Sequence, residues 1–293
     1  MATTPIHRES AAPPGLFGPD SISWRINREA VLLLGGPRAL LLQLAHPLVA
    51  AGVAEHSDFL EDPVGRLRRT LITMLSLVFG DAATVAHCAT RIEEAHVRVR
   101  GILREPTRAF PAGTTYDARD PRLLLWVHAT LVDSALVTYE WLVAPLAEHE
   151  RARFYEESKM VARLLGVPDH ELPDTYPRFV RYLEAMHDGP LAEITPTARR
   201  LARAVLQPDI PILSQLPFLP AGLGGALELA TAGLLLPPIR TCYGLSWNDR
   251  KERAHRALGR VVRAALPWLP DVVRVMPQAR ERATEVERAR MSS

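Results

Sequence analysis

The sequence predicts an all-α protein, a single multi-helix globular domain around a buried central helix, globin-like in general character. Three observations carry this. Strand signals are scarce: Val/Ile/Thr alternation never runs long, and no Asn-Gly or Asp-Gly turn joins alternating apolar runs. Apolar residues recur instead at helical spacing, between capping residues, glycines and prolines. Residues 122–138 (RLLLWVHATLVDSALVT) are apolar on nearly every side, as a helix in the middle of a bundle is.

In chain order, residues 1–20 are rich in Pro, Ser and Gly and read as a flexible N-terminal arm. A helix is predicted from Ser23 to about Leu34, broken by Gly35-Gly36-Pro37. Pro37 suits the first turn of the next helix, through Leu44. The polar segment from Gln43 to Phe59 reads as a loop of capping and hydrogen-bonding residues. Asp62-Pro63 opens a helix to about Val78, and Gly80-Asp81 ends it and caps another over 82–102. Residues 104–120, with Pro106, Pro111 and Gly113, read as a loop. Asp120-Pro121 opens the central helix to about Val143, and another covers 148–165. Later helices are predicted near 174–186, 195–206, 221–236 and 248–266. The main domain is thus drawn over 21–270, with a C-terminal helical tail over 271–293.

Composition narrows the functional classes. A chain of 293 residues that is 47% hydrophobic can bury a large core. Its formal net charge of +2 gives no strong field toward nucleic acid or acidic lipid, and no nucleic-acid partner is expected. Cys88 and Cys242 cannot build a disulfide framework or a thiolate metal site, and read as buried thiols. The first fifteen residues contain no apolar run of the kind a secretory signal needs, so a cytoplasmic location is expected. Two apolar stretches, 30–53 and 221–239, read as core rather than membrane spans. The first contains Pro37, Arg38, His46 and Pro47, and the second ends at Pro237-Pro238 just short of a spanning length. No transmembrane span is expected, and peripheral membrane contact stays open.

Helix geometry sorts the histidines. His96 shares a face with Val85, Ala89, Ile92, Val99 and Leu103, while His87 sits opposite, beside Arg91 and Glu94. His128 lies among Leu124, Leu125, Leu131 and Val132 and should be buried. An inward histidine is either a satisfied core residue or a ligand, and periodicity does not choose between His96 and His128. Arg66, Arg69, Thr70 and Thr73 form a stripe beside an apolar face, suited to carboxylates or to an oxygen ligand, or to plain surface. His46, Glu55, His56 and Asp58 are metal ligands by type, but no His-Glu-x-x-His spacing is present. Asp133, inside the apolar helix, requires an arginine or histidine from a neighbouring helix.

A series of short motifs runs along residues 22–260. It begins with Trp24-Arg25-x-Asn27-Arg28-Glu29, Leu42-Gln43-x-Ala45-His46-Pro47, Glu55-His56-Ser57-x-Phe59, Asp62-Pro63 and Arg66-x-x-Arg69-Thr70. It continues through His96-x-x-Val99, Tyr116-x-Ala118-x-Asp120-Pro121, Trp126-Val127-His128-Ala129-Thr130, Tyr139-Glu140, Leu165-Gly166-x-Pro168 and Tyr243-Gly244-Leu245. In this order and spacing the chain resembles the bacterial family that shares the rubber oxygenase (latex clearing protein) and mpaB-type oxygenase catalytic domain. The resemblance implies a helical protein with a b-type haem, which uses dioxygen to cleave carbon–carbon double bonds in isoprenoid chains.

By position, the resemblance makes His96 the proximal iron ligand. It makes His128 a supporting pocket histidine and sets Arg66, Arg69 and Thr70 on the distal side. Glu55 is the nearest counterpart of the family's acidic base. The family's distal lysine is replaced by Arg69, whose protonated guanidinium has no lone pair to offer iron. The distal position is therefore expected to be open, water-bound, or filled by His46 or His56. The expected activity is a haem b-dependent oxygenase acting with dioxygen on an apolar small molecule, with an electron donor the sequence does not name. The alternatives are a haem oxidase or peroxygenase of secondary metabolism, a non-catalytic haem-binding protein, or a haem-free helical interaction protein.

Overall fold

Capping residues and prolines start most of the helices in the computed structural model, which describes residues 15–57, 63–189, 193–206 and 223–291. Helix α1 (Ile22–Asn27) begins at Ser21, whose hydroxyl accepts the Trp24 N–H at 3.0 Å. A 3₁₀ helix, η1 (Ala30–Gly35), follows. The single helix expected from Ser23 to Leu34 is thus broken at Glu29. That residue is extended because its backbone bridges Val275 and its buried carboxylate takes both forks of Arg274 at 2.9 Å. A pairing across most of the chain outweighs local propensity here.

Helices α2 (Gly36–Ala45) and α3 (Pro47–His56) come next. The segment expected to be a loop is therefore mostly helix: Pro47 presets its first turn, and Leu48, Ala50 and Gly52 are buried along it. The polar residues gather at its two ends. Asp58 and Asp62 lie outside the described residues. Helices α4 (Pro63–Phe79) and α5 (Ala82–Val97) form a hairpin, and Asp81 caps α5 by accepting the Thr84 N–H at 2.8 Å.

The helix expected to reach residue 102 ends at Val97, where the Arg98 and Val99 N–H groups close onto the Ala95 and His96 carbonyls. Residues Arg100–Ile102 (β1) instead pair antiparallel with Thr115–Asp117 (β2), placing Gly101 opposite Tyr116. A side chain at Gly101 would begin 2.6 Å from the Tyr116 hydroxyl, so glycine permits the close approach. The stretch read as a loop over 104–120 accordingly carries a strand.

The central helix is α6 (Pro121–Leu142), capped by Asp120, with Trp126, Ala129 and Leu142 fully buried. Helix α2 and η1 pack along it. Asp133 on α6 meets Arg38 of α2 at 2.6 Å, the arginine partner its position demanded. Arg38 also donates to the Ser134 hydroxyl and the Leu234 carbonyl, both at 2.8 Å. The remaining helices are α7 (Glu148–Leu164), α8 (Tyr176–Asp188), α9 (Pro196–Leu206), α10 (Leu223–Leu234), α11 (Pro237–Cys242) and α12 (Asp249–Ala265). A short 3₁₀ helix η2 (Leu266–Trp268), α13 (Asp271–Arg274) and α14 (Pro277–Met291) complete the chain.

The main core joins α1, α2, α3 and α6 to α7, α8 and α9. A second cluster, Trp24, Leu75, Phe79, Val275, Met276 and Ala279, ties α14 to α1 and α4. A third, Leu48, Leu103, Tyr116 and Leu123, seats the β-hairpin on α3 and α6. Cys88 and Cys242 are half-buried. Among the described residues no single helix is long and apolar enough to cross a membrane; Ala30–Ala45 with Pro47–His56 would suffice together but is bent by 105°.

Candidate functional site

The elbow between α2 and α3 is set by proline chemistry. A residue before proline avoids the helical region, and His46 accordingly sits at ψ 119°, ending one helix and starting the next. The bend turns its imidazole inward against Phe110, with ring centroids 5.3 Å apart. Burial lowers its pKa to about 4, against a weaker pull upward from Asp120, and Nδ1 has no hydrogen-bond partner. His46 is therefore a neutral imidazole with a spare polar atom.

His96 occupies the last turn of α5 and is half-buried. Burial lowers its pKa, and Asp117 opposes this. Asp117 stays ionised because Arg119 grips both its oxygens and holds its pKa down to about 2. His46 and His96 thus lie within electrostatic reach of carboxylates three residues apart, on the strand-to-helix segment 117–120. Two turns into α6, His128 is buried, its pKa lowered to about 4 by desolvation, with Nε2 unpaired.

Glu55, at the end of α3, accepts the Tyr116 hydroxyl at 2.6 Å and Arg104 Nε at 3.1 Å. Burial and this carboxylate push the Tyr116 pKa up, so the phenol remains a donor. Glu55 borders a surface cleft of about 340 Å³ that also includes Pro47, Arg104, Thr197 and Arg200. His56 is exposed, and its Nε2 lies 3.1 Å from the Arg100 carbonyl. On α4, Arg69 and Thr70 are exposed; the side chain of Arg66 lies outside the described residues. His87 faces solvent, as its helical position required.

Among the described residues no three His, Cys, Asp or Glu side chains are grouped as an all-protein metal site needs. A haem makes a smaller demand, because one protein imidazole can hold its iron. His96, half-buried with its pKa lowered by burial, and the buried His46 and His128, each with an unpaired ring nitrogen, are imidazoles that fit that demand.

The sequence profile described as "ER-bound oxygenase mpaB/B'/Rubber oxygenase, catalytic domain" matches residues 24–264. The chain belongs to this family. It therefore carries an oxygenase catalytic domain, spanning α1 through nearly all of α12 and including every histidine discussed above. Relatives include the uncharacterized proteins Mb2261 of Mycobacterium bovis and Rv2237 of Mycobacterium tuberculosis. Each is 28% identical over 236 residues, covering 79% of this chain and 87% of the relative. No solved structure matches.

Within this oxygenase domain the structure sets His46 within electrostatic reach of Asp120 and His96 within reach of Asp117, and brings Glu55 to Tyr116 and Arg104. His46 is buried, His96 half-buried and His56 exposed. Sequence reasoning gave no role to Asp117, Tyr116 or the half-buried His187, whose ring meets Trp126 edge-on with Nε2 unpaired. The Tyr-x-Ala-x-Asp-Pro motif includes Tyr116 and brackets Asp117. No comparable signal marked His187.

Proposed function

We propose that this protein is a haem b-dependent oxygenase acting with dioxygen on an apolar small molecule, unsaturated or isoprenoid in character. The observation that carries the reading is His96: a neutral imidazole at the end of α5, inside the oxygenase domain, at the position that resemblance matches to the proximal ligand. Haem bound there would supply the dioxygen chemistry that no amino-acid side chain provides.

The chain's own residues would do the rest. His96 offers a lone pair because burial keeps it unprotonated. His128 and His46, buried and uncharged, supply polar atoms without placing a charge in the core. Arg69 would not serve as an iron ligand, since guanidinium has no lone pair. Of His46 and His56, His46 would be the better second ligand: it is buried with a spare nitrogen, whereas His56 is exposed and already bonded to Arg100. The buried apolar cluster of Leu48, Leu103 and Leu123, packed around Tyr116, would keep water from this side of the domain.

Absorption spectroscopy of protein purified with haem supplied tests this. A Soret band is expected, shifting on reduction and carbon monoxide addition, and His96→Ala should lose it or change its position. Protein without a Soret band, or a His96→Ala spectrum identical to the parent, would refute the reading.

A further inference from the structure

Five of the exposed large apolar side chains fall within thirteen residues near the end of the family domain: Val261, Trp268, Leu269, Val272 and Val273. Trp268 is 88% exposed, and Val272 and Val273 are more than half exposed. Single exposed aliphatics are ordinary; a tryptophan presented with four of them is not.

The segment is held in place rather than frayed. Leu266 is buried at one end and Val275 and Met276 at the other. Between them the Leu269 N–H donates to the Leu266 carbonyl, the Val273 N–H to that of Pro270, and Arg274 to buried Glu29. Helix η1 packs beside α13 and brings half-exposed Leu33 and Leu34 with it. An apolar ridge is therefore displayed on a fixed scaffold.

The helix that leads into this segment and contacts η2, α12, carries a basic stripe. On α12, Arg253, Arg256 and Arg260 fall within about 60° of the helix circumference, and all three are exposed. Arg256 pairs with Glu252, while Arg253 and Arg260 make no ion pair among the described residues. Residues 249–274 hold seven basic and three acidic side chains in a chain whose net charge is only +2. Positive charge is concentrated where the apolar ridge is.

We propose that this face docks on an anionic lipid bilayer, with Trp268, Leu269, Val272 and Val273 entering the interface and Arg253 and Arg260 meeting acidic headgroups. Tryptophan and short aliphatics beside arginine suit the boundary between headgroups and acyl chains. A second copy of this chain fits less well, because a two-fold contact would set this basic stripe against itself. The inference is independent of haem.

Flotation of the full-length protein with phosphatidylglycerol-containing vesicles and with pure phosphatidylcholine vesicles tests it. Binding is expected to the anionic vesicles, weakening with salt and accompanied by a blue shift of tryptophan emission. Arg253→Ala/Arg260→Ala should bind roughly thirtyfold more weakly. Trp268→Ser/Val272→Ser should lose binding while keeping its circular dichroism and melting temperature, and Trp268→Phe should bind without the blue shift. The proposal fails if the protein does not float with anionic vesicles, or if both double variants float like the parent. A concentration-dependent dimer abolished by Trp268→Ser would also overturn it, assigning the face to a second copy.

Discussion

His46 and His128 are held about 2.5 units below the ordinary histidine pKa of 6.5, both at about 4, chiefly by desolvation. The unfolded chain binds protons at these residues below about pH 6.5, while the folded chain refuses them until about pH 4. Their contribution to stability is therefore complete above pH 6.5 and lost as pH falls toward 4. The loss reaches up to about 3 kcal/mol for each histidine. Urea midpoints of the haem-free protein should fall across this window, and His128→Leu should remove its share of the slope. An equal slope in parent and variant would show that His128 is not buried neutral. The burial of His128 was legible because the apolar periodicity of residues 122–138 encloses it. That of His46 was not, because the segment from Gln43 to Phe59 reads as a loop and a histidine directly before a proline has no helical face to judge it by. Only the 105° bend turns it inward.

Helix α6 is held in register by one polar clamp. Arg38 is 3% exposed and reaches Asp133, the Ser134 hydroxyl and the Leu234 carbonyl, joining α2, α6 and α10. Removing one partner of such a pair strands the other charge, so Arg38→Ala should cost about 3–5 kcal/mol. The double variant Arg38→Met/Asp133→Leu should recover most of that loss, because no charge is then left unpaired. Denaturant titration of the three proteins checks both statements, and a double variant no better than Arg38→Ala would contradict the second. A need for some arginine or histidine beside Asp133 was visible in the sequence. That the partner is Arg38, 95 residues earlier, was not. Helix starts were legible where an aspartate caps its own helix, as at Asp81 and Asp120. They were misread at α3 and at the hairpin, where burial against distant residues decided the conformation.

Across the whole molecule, the C-terminal helix α14 completes a separate core against α1 and α4. Val275, Met276 and Ala279 cover Trp24, Leu75 and Phe79 there, beside the Glu29–Arg274 pair. Deleting the chain from Val275 onward would bare those side chains. Stability should fall by about 4 kcal/mol or more, as for losing a pair of large core side chains. Thermal melting reads the effect, and faster amide exchange in α4 than in α6 would localise it. A truncated protein that melts with the parent would show that α14 is not part of the cooperative unit.

What the sequence determined by itself was local: helical class, most helix starts, the apolar centre at α6 and the motif order of an oxygenase domain. These are legible because periodicity, capping and proline constraints act within a few residues of one another. The tertiary structure decided what depends on distant partners. It split the first helix at Glu29 through Arg274, 245 residues away, and seated Tyr116 on Glu55 across Gly101. It also set Asp120 within electrostatic reach of His46 and Asp117 within reach of His96. Burial and pairing are properties of contacts between elements, and no window of sequence contains both sides of such a contact.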